Sequence, residues 1–403
     1  MTGKGRGRRG LSSARDWALR HPVVLTLIAA VAIRLAAAVF ISTVIGLDQD
    51  VFSDVETYDR LAAERADGRY HDWGPRSELL YDRFATYVLP LSILYRAFGT
   101  HLFFGQLLAA LAGAVTAALT CRLLLMVTAP RWALFGGAIV AFLPSQVVWS
   151  STVFRDSFIW MVTAAMALAC AVAARARGWK LAGLAGALAM LAFLLGHLRW
   201  STMIVACWAL MVAAVFSLRT DRLARIAGAA VIALLVPWYV GAGPAGLEYV
   251  ADSSPTEIRV ERTAGADSAI IGATSGDLAH FPRGLSVVLL EPFPGTSFTG
   301  GSVRLAQLEL VFWYPLMLVA LVGIPEAFRR RRLLAFSIVT GGTLVVVYAL
   351  SEGNFGTAFR HRGELVPPTA VLAALGAPTL VRVWRPRRER TAGGSAPVVV
   401  APR

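Results

Sequence analysis

Long apolar runs alternate with short polar gaps over most of this chain. The runs lie near 22–45, 101–127, 131–149, 157–174, 181–196, 200–217, 224–242, 305–324, 333–350 and 364–381. A bilayer core about 30 Å thick takes roughly 20 helical residues to cross, so the pattern predicts about ten transmembrane helices. Two polar stretches are longer than the rest, 47–100 and 242–304. In the first, Val55, Tyr58, Leu61 and Ala62 recur at helical spacing and predict an amphipathic helix over 54–66. Residues 84–98 are apolar but hold Pro90 and Arg96, which suits a helix lying in the membrane interface. In the second, the apolar piece 285–290 sits between Pro282 and Pro292 and is too short to cross. It predicts a loop dipping into the outer leaflet.

The gaps differ in charge. Basic clusters occupy every second one: Lys4, Arg6, Arg8, Arg9, Arg15 and Arg20; Arg131; Arg175, Arg177 and Lys180; Arg219, Arg222 and Arg225; Arg329 to Arg332; and Arg382, Arg385, Arg387 and Arg388. The positive-inside rule then places both termini in the cytoplasm, in a multi-pass protein of the cytoplasmic (inner) membrane. A membrane domain over 22–384 is flanked by basic tails, 1–21 and 385–403, and Arg34 reads as the only charge well inside a span. The first run is longer than a signal-peptide core of about 7–15 residues and predicts an uncleaved anchor.

Composition agrees. Hydrophobic residues make up 56% and charged residues only 16%, with a mean hydropathy of +0.60, which excludes an ordinary soluble domain. The net charge of +14 is largely topogenic, faces anionic lipid headgroups and implies no nucleic-acid partner. Cys121, Cys170 and Cys207 all fall in apolar runs, so they form neither a disulfide framework nor a metal motif.

The gaps on the other side hold the candidate chemistry. Ser53-Asp54-Val55-Glu56-Thr57-Tyr58-Asp59 follows the first span; on a helix Asp54 and Tyr58 share one face, and Glu56 and Asp59 another. A carboxylate at the lipid boundary is placed to act as a general base. Arg155-Asp156 lies at the turn between the third and fourth spans, His197 and Arg199 at the next external turn, and Asn354, Arg360, His361 and Arg362 at the last. Arginines on the external side run against the positive-inside tendency, and guanidinium suits bidentate phosphate binding. A divalent ion on Asp54 and Asp156 is chemically reasonable but not required. The bland readings are a helix cap at Ser53 or Asp54, a capping Arg155–Asp156 pair and interfacial arginine anchors.

In these stretches the chain resembles GT-C membrane glycosyltransferases, nearest the bacterial protein-mannosyltransferase-like group of glycosyltransferase family 39. The resemblance rests on the order of the Asp54 loop, Pro144-Ser145 through Arg155-Asp156, and Gly353-Asn354-Phe355-Gly356-Thr357 through Arg362. It implies an all-α polytopic GT-C-like fold and an inverting transfer of a hexosyl or pentosyl sugar, outside the membrane, from a polyprenyl-phosphate donor to a glycan, lipid or protein acceptor of the envelope. It also implies Asp54 as base and Asp156 as the residue that orients donor or acceptor. The first loop lacks an adjacent Asp-Glu pair, which leaves the base among Asp54, Glu56 and Asp59, and there is no large C-terminal soluble domain. The external arginines are then expected on the lipid phosphate, and stretches 84–98 and 286–290 along the lipid tail. Competing expectations are an O-antigen ligase- or polymerase-like enzyme centred on Arg360-His361-Arg362, a lipid transporter or flippase, and a non-catalytic envelope scaffold. A transporter would carry repeats and polar broken helices at the midplane, and neither is evident in the sequence.

Overall fold

The computed structural model describes residues 16–46, 54–69, 77–217, 254–263, 270, 275–295 and 301–384. Fourteen α-helices follow in order: α1 Pro22–Phe40, continued by a π-helical turn Ile41–Ile45, α2 Asp54–Ala66, α3 Ser77–Phe98, α4 Leu102–Leu125, α5 Pro130–Phe142, α6 Pro144–Trp149, α7 Asp156–Ala173, α8 Trp179–Leu198, α9 Trp200–Ser217, α10 Pro255–Thr263, α11 Asp277–Leu289, α12 Gly301–Arg329, α13 Arg331–Ser351 and α14 Phe355–Trp384. Seven of the described helices (α1 with its π turn, α4, α7, α8, α12, α13 and α14) are long and apolar enough to cross a membrane, and α5 and α9 are shorter apolar helices. The expected span 224–242 lies outside the described residues.

Small residues let the helices approach closely. Helix α4 packs against α1, α5 and α7 and buries a face of Ala109, Ala110, Gly113, Ala114, Ala117 and Ala118. Helices α12 and α14 cross at Gly323 and Gly376: a Cβ at Gly323 would lie 1.9 Å from the Leu372 carbonyl oxygen, and one at Gly376 2.0 Å from that of Val319. Such close backbone approach is the usual basis of helix association where lipid offers no hydrophobic drive. Helix α2 turns the predicted face (Val55, Tyr58, Leu61, Ala62) onto Tyr87, Val88, Leu91 and Tyr95 of α3.

Three expectations are corrected. The run 131–149 is two helices, because Pro144 drives Leu143 into an extended conformation (φ −61°, ψ 131°). The segment 285–290 is the end of α11 rather than a loop: Gly284, Val287 and Val288 recur at helical spacing and are buried. The last span starts at Phe355 instead of near 364, so Arg360, His361 and Arg362 are helical rather than in a turn. Their polarity suggested a loop, but the groups they meet are supplied by protein. Asn354 caps this helix, its Oδ1 accepting from the Thr357 amide at 2.7 Å. Pro367 removes the donor that the Gly363 carbonyl would have used, and Gln146 Nε2 donates to it instead at 2.8 Å.

The break at Leu143 shows how the fold handles polar backbone among apolar helices, where water cannot substitute. Fully buried Arg34 donates from Nη1 to the Ala141 carbonyl (2.9 Å), from Nη2 to the Val140 carbonyl (3.0 Å) and from Nε to Ser150 Oγ (2.7 Å). On the other side of the break, the buried Glu309 carboxylate of α12 accepts from the Ser145 amide. A cation thus meets a helix C-terminus and an anion a helix N-terminus, both favourable to the helix dipoles. Arg34 is therefore not the only charge inside a span, and a broken helix is present. Both features stabilise the fold.

Arg34→Met should cost on the order of 2–6 kcal/mol, because it strands two buried carbonyls at roughly 1–3 kcal/mol each. Thermal unfolding in detergent reads this out; an unchanged midpoint would mean that another group holds the break.

Candidate active site

The site is built around Asp156, the buried first residue of α7. Its Oδ1 accepts from Arg199 Nη2 at 2.5 Å and its Oδ2 from Arg360 Nε at 2.8 Å. Arg199, the residue between α8 and α9, also pairs through Nη1 with Glu364 of α14. The other Glu364 oxygen accepts from Thr202 Oγ1 at 2.9 Å. Burial works against the Arg199 charge, but the carboxylates of Asp156 and Glu364 outweigh it and lift its pKa well above the ordinary guanidinium value. The chain Arg360–Asp156–Arg199–Glu364 ties together α7, the α8–α9 junction and α14. Charges so far from water persist only when paired, and removing one partner leaves another stranded.

Beside it lies a second buried pair. His361 Nδ1 is 2.6 Å from Glu352 Oε1, and the imidazole stacks on Tyr348 at 4.8 Å and 14°. Arg362 points to the opposite side of α14. It donates to the carbonyls of Val288 (2.9 Å) and Val287 (3.2 Å), bonds that of Glu291 as well, and lies 5.6 Å over the Trp313 ring.

The helix that carries Asp54 docks on this cluster through Tyr58, whose ring meets Phe154 (6.4 Å) and Tyr87 (5.2 Å) edge-on. Phe154 in turn carries the Arg360 guanidinium 4.7 Å over its face. Asp54 opens α2, while its side chain lies outside the described residues. Glu56 is exposed. Asp59 accepts from Tyr95 Oη, and burial together with this bond pushes the Tyr95 hydroxyl far above its ordinary pKa. Arg155 is half-buried, and burial together with the cations Arg199 and Arg360 lowers its pKa against the opposing pull of Tyr58 and Asp156. His197 packs on Phe193 one turn earlier at 4.6 Å, and Asn354 is a helix cap, so neither belongs to the ion-pair chain among the described residues.

Glu309, Glu352, Glu364, Thr202 and Tyr348 were not among the candidates drawn from sequence. One signal was available for Glu309, a lone carboxylate inside an apolar run. Glu364 lies four residues after Arg360, but that pairing faces Arg199 only once α9 has packed.

The donor set at Asp156 does not fit a divalent cation. Both of its oxygens are held by guanidiniums, and among the described residues no group of three or more His, Cys, Asp or Glu side chains gathers.

A cavity of about 990 Å³ opens between α11, α12, α13 and α14. Leu285, Leu289, Trp313, Met317, Leu321 and Val345 are among its walls, and it is almost wholly apolar. Trp313, over which Arg362 lies, is shared between the cavity and the arginine. The Trp313 indole donates to the Leu289 carbonyl (2.9 Å) and Tyr314 Oη to that of Leu290, which fixes the wall to the end of α11. Residues 286, 289 and 290 thus line the groove, whereas Tyr87, Val88, Leu91 and Tyr95 of 84–98 pack in the α2–α3 cluster and Leu89, Ile93 and Phe98 are exposed.

No family model matches the sequence, and no curated protein matches it. Among solved structures, the chain is similar to ArnT from Cupriavidus metallidurans bound to undecaprenyl phosphate, with a TM-score of 0.55 and 15% identity. That match covers 88% of this chain and 59% of the ArnT chain, so the present chain spans about three-fifths of its neighbour's length. The chain therefore has the polytopic membrane GT-C fold.

Proposed function

We propose that the protein is an inverting glycosyltransferase that moves a sugar from a polyprenyl-phosphate donor to an envelope acceptor, at the outer face of the cytoplasmic membrane. The observation that carries this reading is the large apolar groove on the GT-C fold, one wall of which, Trp313, carries the buried guanidinium of Arg362 over its ring. The fold neighbour is bound to undecaprenyl phosphate, a ligand with the same polarity, long and apolar with an anionic head. Placement in the family 39, mannosyltransferase-like group belongs to the same proposal, as do cytoplasmic termini.

The chemistry needs one base and a site for the departing phosphate. An acceptor hydroxyl loses its proton to a carboxylate while its oxygen attacks the anomeric carbon from the face opposite the leaving group. The bond from that carbon to the phosphate oxygen breaks, and the polyprenyl phosphate leaves with the electron pair. Of the three carboxylates at the start of α2, Asp59 is engaged by Tyr95. Asp54, nearest the membrane end of the helix, is our assignment for the base. Asp156 acts as a positioning residue: it holds Arg199 and Arg360 in a preorganised arrangement that need not rearrange during the reaction.

Two outcomes test this. Asp54→Asn should cut the turnover of a polyprenyl-phosphate sugar by about 10²–10⁴-fold without lowering the unfolding midpoint. Transfer that survives in Asp54→Asn and vanishes in His361→Ala would instead support the ligase-like mechanism around the His361–Glu352 pair. For the groove, Gly342 has open space at its Cβ and lines the cavity. Gly342→Phe should raise KM for a long-chain donor by roughly 10-fold or more, with little effect on a short-chain analogue. Equal effects on both donors would remove the groove from the reading.

A further inference from the structure

A second cavity, of about 610 Å³, lies at the opposite end of the helix bundle from Asp156. It opens where α4 ends and α5 begins, beside the C-terminal ends of α12 and α14. Its character is the reverse of the groove's: Arg131, Arg329, Arg330 and Arg382 converge on it from three helix ends, with Glu326 as its one carboxylate. Glu326 is committed to two of them, with Oε2 3.2 Å from Arg329 Nη1 and Oε1 2.7 Å from Arg330 Nε. The lining thus keeps a net charge of three positive groups. Arg131 lies 5.1 Å over the ring of Trp132, which also lines the cavity. That contact orients the guanidinium without neutralising it.

We propose that this cavity is a binding site for a phosphate-bearing anion, of which the headgroup of an anionic phospholipid in the adjoining leaflet is the favoured source. Guanidiniums match phosphate oxygens in a bidentate geometry that ammonium groups lack. Basic pockets between transmembrane helices, at the level of the headgroups, are suited to multiply charged lipids, and Trp132 at the rim provides the amphipathic ring typical of that depth. The volume is within the range of small-ligand sites, roughly 300–1,000 Å³. The chain's own tails are poor occupants on charge: 1–15 holds Lys4, Arg6, Arg8, Arg9 and Arg15, and 385–403 holds five arginines against Glu389. A headgroup bound here would clamp the α4–α5 turn to the ends of α12 and α14, two of the four helices that wall the apolar groove. The site is independent of the glycosyl-transfer reading and stands or falls separately.

The test uses the full chain in neutral detergent, followed by thermal unfolding with added cardiolipin, phosphatidylcholine or inorganic pyrophosphate. Cardiolipin should raise the midpoint by roughly 2–4 °C, phosphatidylcholine should not, and the rise should shrink in high salt. The double variant Arg131→Gln, Arg382→Gln removes the two cations that Glu326 does not hold. It should lose most of the cardiolipin shift while keeping its lipid-free midpoint. A pyrophosphate shift as large as that of cardiolipin, lost in the same variant, would support the site and assign it to a soluble anion. A cardiolipin shift undiminished in the variant, or no shift with either anion, would overturn the proposal. If the variant's lipid-free midpoint falls, native mass spectrometry of bound cardiolipin on Arg382→Gln alone decides in the same way.

Discussion

The two guanidiniums on Asp156 are the interaction from which the rest of the site follows. Arg199 comes from the junction of α8 and α9 and Arg360 from α14, and each uses a different oxygen of one buried carboxylate. Because Arg199 also reaches Glu364, α14 is held to α7 at Arg360 and to the α8–α9 junction at Glu364. None of these charges is affordable in a low-dielectric setting without the others. The register of α14 is therefore tied to the packing of α7 and α9, and that register sends His361 toward Glu352 and Arg362 toward α11.

The same requirement, that every polar group among apolar helices find a protein partner, explains features that look irregular one at a time. The break at Leu143 is closed by Arg34 on one side and Glu309 on the other. The carbonyl orphaned by Pro367 is taken by Gln146. Residues 144–151, between the break and α7, are thereby bonded to α1, α12 and α14. The segment leading to Asp156 is held rigidly, as electrostatic preorganisation demands.

Charge also divides the molecule by ligand chemistry. One cavity is almost wholly apolar and shares Trp313 with the buried cation Arg362. The other is short, lined by arginines and set at the basic end of the helices. The two lie along α12 and α14, whose glycine crossing at Gly323 and Gly376 leaves little room for the helices to slide.

Much of this architecture was legible from the order of residues alone, because a membrane imposes length and sidedness. Eight of the ten expected spans each coincide with one helix, a ninth (131–149) is split at Leu143, and the amphipathic face of α2 is the one predicted. Asp156, Arg199 and Arg360 were also singled out, since charges beside apolar runs are conspicuous. Their mutual partnership was not visible: residues 156, 199 and 360 are brought together only when α7, α9 and α14 pack. The stretch 360–362 looked like a turn because polarity was read as exposure, whereas its partners come from α7, α11 and the end of α13. Local periodicity and charge patterning thus determined where the helices lie and where the charges cluster. Which charges neutralise one another, and where the cavities open, were decided by tertiary packing, because both depend on contacts between residues far apart in the chain.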